Sequence, residues 1–166
     1  MTDPQHAQIP AWKGNAPGQV LTFSLGEELF AVDVLKVQEI RGFSDVTPVP
    51  QAPPFVKGIM NLRGTVIPVM DLRLRFMLEA RPYDKFTLVV VVSVNTKLVG
   101  LVVDAVSAVT TLTADSLSAP PEMTGGARAT VDAVARLKDR LVLLLNLDAV
   151  VGATINEAPA IAPALA

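Results

Sequence analysis

The sequence predicts an all-β fold with only short helices, built as two small, closed or nearly closed barrels packed together. Three observations carry this prediction. The 166 residues include 24 valines, and valine favours the pleated strand. Apolar and polar residues alternate in short runs broken by turn residues, as in half-buried strands. The pattern of the first half returns in the second, and repeated short strands with regular turns build small barrels whose closure removes exposed sheet edges. A hydrophobic content of 51% against 18% charged residues excludes a disordered chain. The length suits one domain, or two barrels sharing a core.

The elements follow in order. Residues 1–17 are polar, with Pro4, Pro10, Gly14 and Pro17 scattered among them, and are expected to form a flexible tail. Val20–Leu25 alternates, with Leu21, Phe23 and Leu25 on one side, and reads as a half-buried strand. Gly26-Glu27-Glu28 is a tight turn and Leu29–Val32 its returning partner. Asp33 can cap a short helical turn before strand character resumes at Val37–Ile40. Thr47–Pro54 holds four prolines and is expected to be a stiff connection outside any ladder. Gly58–Leu62 and Thr65–Met70 form a second hairpin with Arg63-Gly64 at its tip, and Pro68 requires an edge or a bulge. Leu72–Leu78 is a short helical or irregular link. Leu88–Val92 lacks alternation and should be covered on both faces, between the barrels. Residues 153–166 are rich in Ala and Pro and are expected to be a second flexible tail, leaving 18–152 as the folded domain.

A shift of 69 positions lays Val20 on Val89, Ser24 on Ser93, Leu29 on Leu98, Val34 on Val103 and Val37 on Val106. A shift of 75 lays Leu62–Leu72 on Leu137–Leu147. The difference of six is an insertion around Ala119–Thr130, so the folded part is an internal duplication.

Little of the residue chemistry suits catalysis. There is no Cys and a single His, His6 in the tail, which argues against disulfides, thiolate metal sites and a cysteine nucleophile. No phosphate-loop pattern occurs. Asp33, Asp71, Asp104 and Asp148 are placed at strand ends, where turn and cap roles suit them. An alternative is a small β-barrel enzyme working through such carboxylates, notably Asp71 and Asp104, which would then converge in one pocket. Fourteen basic residues against sixteen acidic give a net charge of −2, and aromatics are 5%, which argues against a nucleic-acid-binding barrel. No apolar run approaches the roughly 18 residues of a membrane span, and the N-terminus lacks a secretory pattern, so a cytoplasmic protein is expected.

Surface residues remain. Arg63, at a hairpin tip, is either a solvated turn residue or the fixed partner of a carboxylate such as Glu39. Exposed ion pairs add little stability, so such a pair would need another reason to exist. Val34, Val37 and Ile40, with Val103, Val106 and Val109, form equivalent sets in the two halves. They are either core or the lining of an apolar groove between barrels, of the kind that accepts an amphipathic helix.

Three segments resemble the CheW-like family of chemotaxis coupling proteins: Leu35–Gly42, Phe55–Arg73 and Val99–Val106. The most specific signature is Asn61-Leu62-Arg63-Gly64 followed by Pro68-Val69-Met70-Asp71-Leu72, and the resemblance runs over about Gln19–Val151. It implies two SH3-like β-barrels packed on a shared hydrophobic interface, no catalytic activity and no cofactor. It further implies an adaptor that couples methyl-accepting chemoreceptors to the CheA histidine kinase, so that receptor state controls kinase autophosphorylation. The partners would be the cytoplasmic tips of the receptors and the regulatory domain of the kinase. The protein would be cytoplasmic and recruited to membrane-associated receptor arrays. Carried over from the family, the receptor contacts are Val34, Val37, Glu39, Ile40, Arg63, Leu88 and Val103, with Glu39 paired to Arg63. The kinase contacts are Gly58, Glu122 and Met123. Gly58, Gly64 and Gly100 match glycines where a larger side chain would block backbone approach. The sequence departs from the family at Ala133 and Ala135, where glycines are usual, and at Thr124–Ala129.

Overall fold

The computed structural model describes residues 18–43, 46–118 and 130–157. The expected tail at 1–17 and the expected kinase contacts Glu122 and Met123 lie outside them. The elements among the described residues follow in order. They are β1 (Gln19–Leu25), β2 (Glu28–Asp33), β3 (Val37–Gly42), β4 (Val56–Leu62), β5 (Thr65–Asp71), α1 (Leu72–Arg75) and β6 (Leu88–Val94). Then come β7 (Lys97–Val103), β8 (Ala105–Thr111), β9 (Leu117–Ser118), β10 (Val131–Leu137), β11 (Arg140–Leu145) and α2 (Leu147–Glu157). A 3-10 turn at Val34–Lys36 joins β2 to β3, with the Asp33 carboxylate accepting from the Leu35 N–H at 2.9 Å, the cap expected of that aspartate. No helix among the described residues is long and apolar enough to cross a membrane.

The duplication is present element by element. The shift of 69 carries β1, β2 and β3 onto β6, β7 and β8, and the shift of 75 carries β4, β5 and α1 onto β10, β11 and the start of α2. Yet neither half builds a barrel alone. One sheet has the order β8-β1-β2-β11-β10-β9 and the other β3-β6-β7-β5-β4. The third strand of each half therefore leaves its own hairpin and pairs with the first strand of the other, β3 on β6 and β8 on β1. The later hairpins cross as well, through parallel pairs β2–β11 and β5–β7. Local alternation identifies strands but carries no information on which partner each one finds.

The core has three compartments, and strand period 2 sorts the side chains among them. Leu21, Phe23 and Leu25 of β1 point into a shared core with Phe30, Val32, Val90, Val92, Val94, Val99 and Leu101. Val20 and Ala31 point the other way, into the first barrel with Ala133, Ala135, Val142 and Leu144. Val89, Val91 and Val102 fill the second barrel with Met60, Leu62, Ile67 and Val69. Leu88–Val92 thus lies between two cores, as expected. β1 does too, so it is covered on both faces and not half-buried. Its one inward polar group, Thr22, sits at the β1–β8 bulge, where its hydroxyl donates to the Ala108 carbonyl at 3.0 Å.

Three further differences have local causes. Pro68 is in an interior strand, but the ladder to β7 begins only at Val69, so its missing N–H is not needed there. Thr47 is not outside every ladder. It exchanges hydrogen bonds of 2.8 and 2.9 Å with Ile59, closing the second barrel. The chain beyond Gly152 continues as helix α2 to Glu157, where a tail was expected from residue 153. Asn146 opens that helix, its side-chain oxygen accepting from the Ala149 N–H at 3.1 Å, as Asp71 does for α1 through Arg73 and Leu74.

Candidate functional site at the rim between the barrels

The tip of the β4–β5 hairpin is a two-residue turn with both residues left-handed, Arg63 at φ 51° and Gly64 at φ 88°, as a primed turn requires. Asn61 braces it, its side-chain oxygen accepting from the Gly64 N–H at 2.8 Å. Gly64 is needed for that backbone conformation; a Cβ there would meet nothing, so close approach is not its reason. The turn aims Arg63 at β3, where its Nη1 donates to both oxygens of Glu39, at 2.7 and 3.2 Å.

Arg41, two residues along β3 on the same face, adds a third contact to Glu39 at 3.3 Å. The Arg63 hydrogen bond holds the Glu39 carboxyl below the usual carboxylate range; slight burial opposes this and Arg41 reinforces it. Arg63 remains 70% exposed and Glu39 23%. An ion pair so open contributes little to stability; it presents a braced guanidinium at the surface.

Several apolar side chains of these strands stay partly open. Val37, Leu88 and Val106 are half-buried and pack on the edge of the shared core, and Val34 is half-buried in the 3-10 turn. Ile40 is 41% exposed on β3, and its counterpart Val109 is 51% exposed on β8. The structure brings Glu39 and Arg63 into contact, and leaves Val37 and Leu88 half-buried and Ile40 exposed. The sequence reading errs at Val103. That side chain is 1% exposed, the inward partner of Leu88 across β6–β7, and belongs to the core. Val106, past the turn into β8, takes the accessible position.

Gly58 is also corrected. It is buried, with φ 148°, and a Cβ would lie 2.0 Å from the Thr47 carbonyl oxygen, so it serves backbone packing and offers no surface to a kinase. Its counterpart Ala133 carries a Cβ and is fully buried in the first barrel, so the departure from glycine there is absorbed by the core. Arg41 was missed, although the i, i+2 spacing from Glu39 was the available signal.

The four aspartates are each engaged. Besides Asp33, Asp71 caps α1 and accepts from the Tyr83 hydroxyl, whose ionisation is pushed far up by burial and by that carboxylate. Asp104 accepts from Arg73 at 2.7–3.1 Å, from Arg81 at 2.9 Å and from the Gly26 N–H at 2.6 Å. Asp148 is not at a strand end but in the first turn of α2, where Asn95 donates to it at 3.2 Å. A cap, an ion pair or a hydrogen bond accounts for each of the four. Among the described residues no group of three His, Cys, Asp or Glu side chains gathers as a metal site.

Two exchanged barrels on a common core, with a braced ion pair open to solvent, define a paired-barrel domain. Comparison with known proteins gives that class its family. Residues 19–154 match the CheW-like domain. The chain is 38% identical to the chemotaxis protein CheW of Klebsiella aerogenes over 144 residues, 86% of this chain and 87% of that protein. It is 32% identical to CheW of Rhizobium meliloti over 145 residues, 87% of this chain and 94% of that protein. The crystal structure of the scaffolding protein TtCheW from Thermoanaerobacter tengcongensis superposes with a TM-score of 0.73 at 35% identity, covering 78% of this chain and 88% of that one. The chain belongs to the CheW-like domain family. Its barrels are SH3-like, and it is a chemotaxis scaffold protein.

Proposed function

We propose that this protein is the adaptor through which methyl-accepting chemoreceptors control a CheA-type histidine kinase. In this reading it is cytoplasmic, recruited to receptor arrays at the membrane, and has no catalytic role. The observation that carries the reading is the Glu39–Arg63 pair, 2.7 Å apart and open to solvent on the strand that also exposes Ile40, with Val37, Leu88 and Val106 half-buried on the shared core. A braced cation next to a half-buried apolar rim suits an amphipathic helix, whose apolar face seats on the rim while a polar group meets the guanidinium. The helical cytoplasmic tip of a receptor is such a partner. The kinase regulatory domain is assigned to the segment containing Glu122 and Met123. Occupied strand-end carboxylates favour the adaptor over the small-enzyme alternative.

Titration calorimetry with a receptor-tip fragment and with the kinase regulatory domain tests this. Both should bind, with modest affinity, since remodelling interfaces bury roughly 1,200 Å² or less and arrays gain strength by multivalency. Arg63→Ala and Glu39→Ala should keep wild-type circular dichroism and melting while losing receptor affinity. Absence of binding to both partners at tens of micromolar would refute the proposal.

A further inference from the structure

The two strand exchanges are equivalent by the repeat but are not built alike. Where β7 passes to β8, Asp104 lies 12% exposed at the centre of a polar knot. The Arg73 guanidinium grips it through Nε and Nη2, at 3.0 and 2.7 Å, and Arg81 adds Nη1 at 2.9 Å. Arg73 is itself fixed, 14% exposed and donating from Nη1 to the Glu79 carbonyl at 2.9 Å. All of these groups follow the β5 end of the second barrel.

From the first barrel, the β1–β2 turn reaches the same residue. The Gly26 N–H donates to the Asp104 carboxylate at 2.6 Å, and the Asp104 N–H donates to the Ser24 carbonyl at 3.1 Å. Asp104 therefore ties both barrels at the point where the chain changes sheet. At the other exchange, from β2 to β3, the equivalent position is Leu35, which is 84% exposed. Asp33, two residues before it, accepts from the Leu35 N–H, a contact within the same turn.

We propose that Asp104 is a positioning residue for the apolar rim. It stands two residues before Val106 and fixes where β8 joins β1, setting Ala105 against Ser24 and Val106 against Phe23. Val106, like Val37 and Leu88, is half-buried on the shared core. One wall of the rim is anchored across the barrels. The other, β3, is held by its ladder to β6 and by the open Glu39–Arg63 pair. The inference rests on the receptor-binding reading above and adds a residue that makes no contact with the partner.

The test uses the full chain with Asp104→Asn, which keeps the side-chain shape and an acceptor but removes the charge that holds two guanidinium groups. Val142→Ala, buried in the first barrel away from the rim, is the control for a general loss of stability. Amide hydrogen exchange on the free proteins is the first readout. Asp104→Asn should speed exchange across Ala105–Thr111 by roughly tenfold while leaving β3 and β10–β11 near wild type. Calorimetry is the second. Asp104→Asn should weaken the receptor-tip fragment about tenfold and leave the kinase regulatory domain within about twofold, a split Val142→Ala should not produce.

Unchanged protection of β8, or equal receptor affinity, would overturn the assignment. So would exchange rising everywhere with both affinities falling together, as plain destabilisation predicts. If wild type binds neither partner, the adaptor reading falls. If wild type binds and Asp104→Asn binds equally well, only this inference falls.

Discussion

Gly100 and Gly58 both face crowded space, but different atoms crowd them, and that difference predicts opposite behaviour on repair. A Cβ at Gly100 would lie 2.7 Å from Val89 Cγ1, 3.5 Å from Val69 Cγ2 and 3.7 Å from the Pro68 carbonyl oxygen. Carbon atoms in contact prefer about 3.5–4.0 Å, so Gly100→Ala forces Val89 out of place in a core packed at crystal density. Overpacking of this kind costs about 1–3 kcal/mol. Val89→Ala alone removes two fully buried carbons and should cost about 2–3 kcal/mol in transfer and cavity terms. In the double variant the new methyl occupies the space Val89 vacates.

Additivity would predict a loss of about 3–6 kcal/mol, whereas mutual compensation should leave about 1–2 kcal/mol, a coupling of about 2 kcal/mol or more. Urea unfolding followed by circular dichroism reads this directly, and in melting each kcal/mol corresponds to about 2–4 °C for a chain of this size. Gly58→Ala is the contrast. Its Cβ would lie 2.0 Å from the Thr47 carbonyl oxygen and 2.6 Å from its carbonyl carbon, at φ 148°. No side chain can be trimmed to relieve a clash with backbone. The loss should be about 3 kcal/mol or more and should persist when Thr47 is changed to Ala. A strictly additive Gly100/Val89 pair, or a benign Gly58→Ala, would refute the packing argument.

Two further outcomes are expected. Glu39, its carboxyl held down chiefly by the Arg63 hydrogen bond, should titrate below its ordinary value of 4.5 in a carbon-detected NMR titration, and Arg63→Ala should move it up. Because the folded-state pKa is the lower one, the pair's contribution is complete above about pH 4.5 and is lost as pH falls through the folded value, so it is intact at neutral pH. Val103→Ala and Val106→Ala should separate: the first, at 1% exposure, lowers urea stability by about 2–3 kcal/mol with little direct effect on receptor binding. The second should do the reverse, because Val106 is accessible at the rim. Equal stability losses would place both residues in the core.

The contrast between these two valines shows where sequence reading reached and where it stopped. Periodicity could place Val103 and Val106 in equivalent strands because period 2 is local. It could not say which one the core covers, since that depends on where the strand leaves one sheet for the other. The exchange of β3 and β8 is set by partners far apart in the chain, which local periodicity does not report.

Helix α2 was concealed by composition. Its end runs into the Ala/Pro stretch, although the shift of 75 already laid Asn146-Leu147 on Asp71-Leu72, a capped helix start. Carried one residue further, the duplication would have disclosed it. Glu39 and Arg63 were legible for a different reason. In a chain with only 18% charged residues an arginine at a hairpin tip draws notice, yet residue chemistry leaves it either solvated or paired, and it is the family resemblance that pairs it with Glu39.

The exchange also accounts for where the site is. Swapping third strands makes each barrel contain segments of both halves, so the rim cannot form unless both halves are folded and docked. A partner seated there reads the relation between the barrels, and not either barrel alone. That is the property a scaffold needs if binding at one surface is to be felt at another. It also explains why a carboxylate tying the two barrels belongs beside the crossing strand and not within the contact itself.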